Sequence, residues 1–204
     1  MRPEAPDEAS VRRTADALVN GETVALPTDT IYGLCARAED PAAIEALYRI
    51  KGRGEDKGAP VLIGEPAHIA ILTDQIPQKV QALIDEFWPG PLTLILPSRA
   101  ELTPFLSETG GIAVRFPAQA LCQAIARAAG PFAATSVNRP GEPPLRDAAA
   151  IENAFGNRIG LILDGGPGGD GAPSAVVDTR GGALRLLREG PLSFDRINAV
   201  WEEN

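Results

Sequence analysis

Apolar positions along this chain fall into two rhythms, one of helical period and one of short continuous runs. Residues 9–20, ASVRRTADALVN, place Val11, Ala15, Leu18 and Val19 on one helical stripe that Gly21 closes. ETVALPT then predicts a short buried strand ended by Pro27. Asp40-Pro41 predicts a helix start, an N-cap followed by proline at the first helical position. Its apolar face is Ile44, Leu47 and Tyr48, and it runs out near Lys51. Downstream, APVLIG predicts a strand, QKVQALIDEFW a helix and PLTLILP a strand. More strands are predicted over GIAVRFP, FAATSV, IGLILDG, SAVVDT and ALRLLREG, with helices over AQALCQAIARAAG and the Asp147-capped DAAAIENAFG. Strands and helices alternate for most of the length, which points to an α/β fold with a twisted, mixed sheet. With no internal repeat and no dividing linker, residues 1–204 are expected to form a single domain, its core about 9–191 and its short C-terminal tail 192–204.

Composition narrows the class without naming a function. Hydrophobic content of 44% and charged content of 23% are ordinary for a globular domain. A formal net charge of −8 argues against gripping duplex nucleic acid by bulk charge, although a basic cleft inside an acidic shell stays open. Two cysteines, Cys35 and Cys122, are too few for a disulfide framework and lack metal-ligand spacing. No charged-then-apolar leader and no long apolar run appears, so a soluble, cytoplasmic, reduced protein is expected.

Several chemistries lack their parts. The single histidine, His68, sits in the apolar stretch AHIAIL and reads as an ordinary helix or core residue. A zinc site or a Ser-His-Asp triad therefore has too few components, and no Walker phosphate loop occurs. The glycine-rich DGGPGGDGAP reads as a loop between strands. What survives is chemistry by positioning and charge neutralisation, as in phosphoryl or nucleotidyl transfer.

Five segments could carry it. LPTDTIYGL offers Thr28, Asp29 and Thr30 at a strand end, fit either for a small zwitterion or for a turn that satisfies its own backbone. YRIKGRGEDKG holds two of the three lysines, Lys51 and Lys57, with Arg49 and Arg53; it is a neutralised surface loop or a grip on an anion. FAATSVNRPG ends a strand in Thr135, Ser136 and Asn138, donors suited to phosphate or ribose. Arg115 in AVRFP sits in a strand that reads as buried, so it needs an anion from an internal carboxylate or from a ligand. Arg188 in LLREG raises the same requirement. Polar segments 27–33, 52–59, 136–146 and 164–174 follow strands, where ligands of open α/β sheets gather, and 52–59 and 164–173 are the candidate lids.

In this order, LPTDTIYGL, KGRGEDKG, WPGPLTLIL, AVRFP, ATSVNRPG, LILDGG, PSAVVD and LREG resemble the YrdC/Sua5 family, over about residues 12–190. The best-known members of that family are threonylcarbamoyl-AMP synthases. The resemblance implies a sheet curved around a large basic cavity, in a chain of the short bacterial type. It also implies conversion of L-threonine, bicarbonate or CO₂, and ATP to threonylcarbamoyl-adenylate and pyrophosphate, for N6-threonylcarbamoyladenosine in tRNA. Implied partners are the three substrates and, transiently, tRNA and the proteins that transfer the threonylcarbamoyl group, with no membrane. Mg²⁺ arrives with ATP, and no tightly bound organic cofactor is implied. By carry-over, Lys51 and Arg53 are the catalytic cations; with Lys57, Ser136, Asn138 and Arg188 they also bind ATP. Thr30, Arg115 and Ser174 bind threonine.

The chain departs from the pattern at Gly54, where a proline is usual, at Arg139-Pro140, and at Ala175, where a threonine is common. These leave two alternatives: a module that binds RNA or nucleotide without turnover, and a paralogue acting on another carbamoyl compound.

Overall fold

A tight hairpin starts the sheet. Strand β1 (Val24–Pro27) runs antiparallel to β2 (Tyr32–Arg37), with Val24 opposite Cys35 and Pro27 opposite Tyr32. The turn is held by one hydroxyl: Thr28 Oγ1 accepts the Thr30 and Ile31 N–H groups, each at 3.1 Å, and donates to the Ile31 carbonyl at 2.7 Å. Residues 27–33, expected as a polar loop, are thus mostly hairpin. YGLCAR hides its strand character because it contains no β-branched residue; burial of both its faces supplies the stability that propensity does not.

The computed structural model describes residues 5–52, 58–106, 109–166 and 172–204. Among them, the remaining strands are β3 (Val61–Leu62), β4 (Leu92–Pro97), β5 (Gly111–Arg115), β6 (Phe132–Ser136), β7 (Leu161–Ile162), β8 (Ala175–Asp178) and β9 (Arg185–Arg188). They complete one nine-stranded sheet in the order β7-β1-β2-β6-β3-β5-β4-β8-β9. Parallel pairs (β1 with β7, β3 with β5, β4 with β8) mix with antiparallel ones, as the sequence pattern predicts. The helices are α1 (Glu8–Val19), α2 (Pro41–Lys51), α3 (Ile69–Leu72), α4 (Gln78–Phe87), α5 (Thr103–Leu106), α6 (Ala120–Ala129), α7 (Ala148–Phe155) and α8 (Phe194–Glu203). Asp40 caps α2 by accepting the Ala42 and Ala43 N–H groups, and Asp147 caps α7 through Ala150 N–H.

Alternation along the strands sorts side chains onto two faces. Ala25, Tyr32, Leu34, Val61, Leu94, Val114 and Val177 join one core with residues of α2, α4, α7 and α8. Val24, Leu26, Cys35, Leu62 and Phe132 join a second, smaller core under α1 and α6. On that second face the intervening residues of β4, β5 and β8 are Thr93, Ile95, Ala113, Arg115 and Val176, and these border a cavity instead of a helix, Thr93 from beneath its wall with no accessible surface of its own. The fold covers one face fully and leaves half of the other as a hollow.

Several elements differ from expectation. Val19 is exposed, and the buried face of α1 is Ser10, Thr14, Ala15, Ala17 and Leu18, with the Thr14 hydroxyl capped onto the Ser10 carbonyl at 2.7 Å. The strands expected over APVLIG and IGLILDG shorten to two residues each, although Ile63 N–H to Arg115 O and Leu163 N–H to Ala25 O continue the pairing. The expected tail 192–204 contains α8, whose Ile197 and Trp201 are buried against the core. His68 is a buried structural residue whose Nδ1 accepts the Gly64 N–H at 3.3 Å.

Candidate active site

The hairpin turn and the end of β5 bring together the first cluster. Thr30 Oγ1 accepts from Arg115 Nη1 at 2.9 Å, and Arg115 Nε donates to the Gly90 carbonyl at 3.0 Å. A Cβ on Gly90 would lie 2.4 Å from the Phe87 carbonyl, so only glycine lets the chain present that oxygen. The anion that buried Arg115 requires comes from within: Asp29 Oδ2 lies 2.7 Å from Arg115 Nη2. The pair is close but not aligned as a hydrogen bond, which leaves Nη2 and Asp29 Oδ1 without hydrogen-bond partners among the described residues. Burial lowers the Arg115 pKa from its usual range, and the Asp29 charge opposes that shift. Arg115 stays a cation, held along three directions.

The second cluster joins the last residue of α2 to the end of β6. Lys51 is buried, and its ammonium donates to Ser136 O at 2.6 Å, Ser136 Oγ at 3.1 Å and Asn138 Oδ1. Asn138 spends its amide hydrogens on the carbonyls of Arg139, at 2.9 Å, and Glu142, at 2.8 Å. Gly52, in the left-handed region at φ 64°, stops α2 immediately after Lys51. The lysine therefore braces the S-x-N turn as well as charging it.

A third cluster sits where β8 begins beside β9. Arg188 embraces Ser174, with Nε donating to its carbonyl at 3.0 Å and Nη2 to its hydroxyl at 3.1 Å. Behind it, Ser174 Oγ lies 2.7 Å from Thr93 Oγ1. Arg188 is exposed, so the buried guanidinium expected there does not arise, and no carboxylate pairs with it among the described residues. Partial desolvation and the positive charge of Arg115 both lower its pKa. Two guanidiniums that repel each other across a hollow favour an anion between them.

All three clusters border one cavity of about 510 Å³, whose wall includes Thr30, Arg115, Ser136, Ser174 and Arg188. Lys51 reaches it through Ser136. The described wall carries two arginines, one already paired, so its charge is focused rather than broadly basic. Arg53 and Lys57 lie outside the described residues, as do residues 53–57 of one candidate lid and 167–171 of the other.

Residues 16–190 match the family model Sua5_yciO_yrdC, described as telomere recombination. The chain belongs to this family. A Bacillus subtilis protein named threonylcarbamoyl-AMP synthase is 37% identical over 95% of this chain and 57% of its own length. A shorter Coxiella burnetii protein of the same name is 33% identical over 87% of this chain and 97% of its own. Among solved structures, Pyrococcus abyssi Sua5 complexed with L-threonine superposes with a TM-score of 0.91 at 32% identity, over 97% of this chain and 59% of that one. The chain thus spans somewhat over half of the longer relatives and nearly all of the shorter one.

Within this Sua5/YciO/YrdC chain, sequence reasoning brought Thr30, Arg115, Lys51, Ser136, Asn138, Ser174 and Arg188 to one place. It left the anion beside Arg115 open, and the structure supplies Asp29. It assigned no role to Thr93, whose only visible signal was a hydroxyl in an otherwise apolar strand. No helix among the described residues is long and apolar enough to cross a membrane.

Proposed function

We propose that this protein is an L-threonylcarbamoyladenylate synthase, a nucleotidyltransferase that joins L-threonine, bicarbonate or CO₂, and MgATP and releases pyrophosphate. The observation that carries the reading is the meeting of Thr30–Arg115, Lys51–Ser136–Asn138 and Ser174–Arg188 on one cavity, in a family whose close relatives bear that name. Cytoplasmic placement and supply of N6-threonylcarbamoyladenosine synthesis in tRNA belong to the same reading.

The threonine amine captures CO₂ and loses a proton, giving a carbamate. A carbamate oxygen then attacks the α-phosphorus of ATP, and pyrophosphate departs. No covalent enzyme intermediate is needed, so the protein contributes placement and charge. Thr30, Arg115 and Ser174 take the amino acid and its carboxylate. Lys51 and Arg53, with Lys57, Ser136, Asn138 and Arg188, take the phosphates; a phosphate oxygen replaces one of the three acceptors now held by Lys51. Mg²⁺ enters as part of the nucleotide and offsets charge on the departing pyrophosphate.

Purified protein should release pyrophosphate only when ATP, Mg²⁺, L-threonine and bicarbonate are all present. Release that ignores threonine would overturn the proposal. Faster turnover with a different amino acid would select the paralogue, and salt-sensitive tRNA binding without turnover would select a binding module.

A further inference from the structure

Hydrogen-bond capacity fixes which way the cavity's two hydroxyls point. An arginine only donates, so Thr30 Oγ1 accepts from Arg115 and Ser174 Oγ accepts from Arg188. Each hydroxyl also has a threonine at its back: Thr28 at 3.0 Å behind Thr30, and Thr93 at 2.7 Å behind Ser174. Thr28 is already saturated, accepting two backbone N–H groups and giving its proton to the Ile31 carbonyl. It has no good site for the Thr30 proton, which is left for the cavity.

Thr93 settles the other side. It lies in the interior of β4 with no exposed surface, and Ser174 Oγ is its one side-chain hydrogen-bond partner among the described residues. If Ser174 donated to Thr93, the Thr93 proton would be buried with no acceptor, an arrangement proteins avoid. The favourable polarity has Thr93 and Arg188 both donating to Ser174, whose own proton then faces the hollow. We propose that Thr93 is a positioning residue: by filling the acceptor side of Ser174 it commits that hydroxyl to donate, so that Thr30 and Ser174 form a pair of O–H donors for the anionic oxygens of the amino-acid substrate. Having no exposed surface, Thr93 acts through Ser174 rather than on the substrate. The inference rests on the synthase reading and deepens it by naming what sets the polarity of the threonine site.

Steady-state pyrophosphate release against L-threonine, at saturating MgATP and bicarbonate, tests it in four variants: Thr93→Val, Thr93→Ser, Ser174→Ala and the double Thr93→Val/Ser174→Ala. Thr93→Val should raise the KM for threonine about fivefold, the span of one neutral hydrogen bond, with kcat changed by less than about twofold. Thr93→Ser should restore the KM, and in the Ser174→Ala background the valine should add nothing. Thr93→Ala, which removes the same donor, takes the place of the valine variant if that does not fold. An unchanged KM in Thr93→Val, or losses that add in the double variant, would overturn the positioning role while leaving the synthase reading intact. A wild-type protein without threonine-dependent release would instead sink the synthase reading, and this inference with it.

Discussion

Arg115 Nη2 and Asp29 Oδ2 lie 2.7 Å apart beneath the cavity, with side chains only 5% and 17% exposed. Asp29 also accepts the Ala118 N–H at 3.1 Å, tying the hairpin turn to the segment that follows β5. The guanidinium on the cavity wall is thus neutralised from behind, so it offers the hollow directed donors more than net charge. Free positive charge on the described wall falls to Arg188.

Asp29 should therefore matter for stability and for binding together. Removing one partner of a buried pair leaves the other uncompensated, so Asp29→Ala is expected to lose about 3 kcal/mol of unfolding free energy. Asp29→Ala/Arg115→Met should lose less than the sum of the single variants. Urea unfolding of the four proteins checks both; additive losses would show that the pair is not coupled.

Lys51 should tolerate no replacement. Its ammonium meets three oxygens of one turn, which a planar guanidinium cannot match from the same helix end. Lys51→Ala and Lys51→Arg are each expected to lower pyrophosphate release on the order of 100-fold, the scale of a lost charge-stabilising donor. Circular dichroism should show a folded protein in both cases. An arginine variant near wild-type rate would contradict the bracing role.

These residues also show where the sequence was informative. Local signals served well: Asp40-Pro41 and Asp147 start helices as expected because an N-cap acts within one turn. The segment after Pro27 misled because its hydroxyls look like loop chemistry, whereas Thr28 uses its own to close a hairpin. Phe194, Ile197 and Trp201, spaced as one helical face behind Ser193, carry a helix signal within the segment expected as a tail. The Asp29–Arg115 and Thr93–Ser174 partnerships were not legible, since each depends on which strands become neighbours, and that is settled by the whole sheet.

The two cysteines should be inert in the folded protein. Cys35 and Cys122 are fully buried in the smaller core, and burial pushes both thiols far above their ordinary range. Cys122 further donates toward the Pro27 carbonyl, 3.3 Å away, or Gln119 Oε1, 3.2 Å away. A thiol-reactive dye should label neither residue in native buffer and both after denaturation with guanidinium chloride. Rapid native labelling would place at least one thiol at the surface.

Alkaline stability should be set in part by Tyr32. Its ring has no exposed surface, and its hydroxyl donates to the Gly166 carbonyl at 2.7 Å. Burial, with a smaller contribution from the Asp164 charge, pushes its pKa up to about 12. An unfolded tyrosine ionises near pH ~10. Because the folded pKa is the higher one, this group's contribution is complete below that value and is lost as pH rises through the interval to about 12. Unfolding free energy should accordingly decline over that interval more steeply in wild type than in Tyr32→Phe. At neutral pH the phenylalanine variant should instead be about 1 kcal/mol less stable, having lost one buried hydrogen bond. Ultraviolet difference titration of wild type and variant identifies the late-ionising phenol. Parallel alkaline profiles for the two proteins would mean that Tyr32 ionises as freely folded as unfolded.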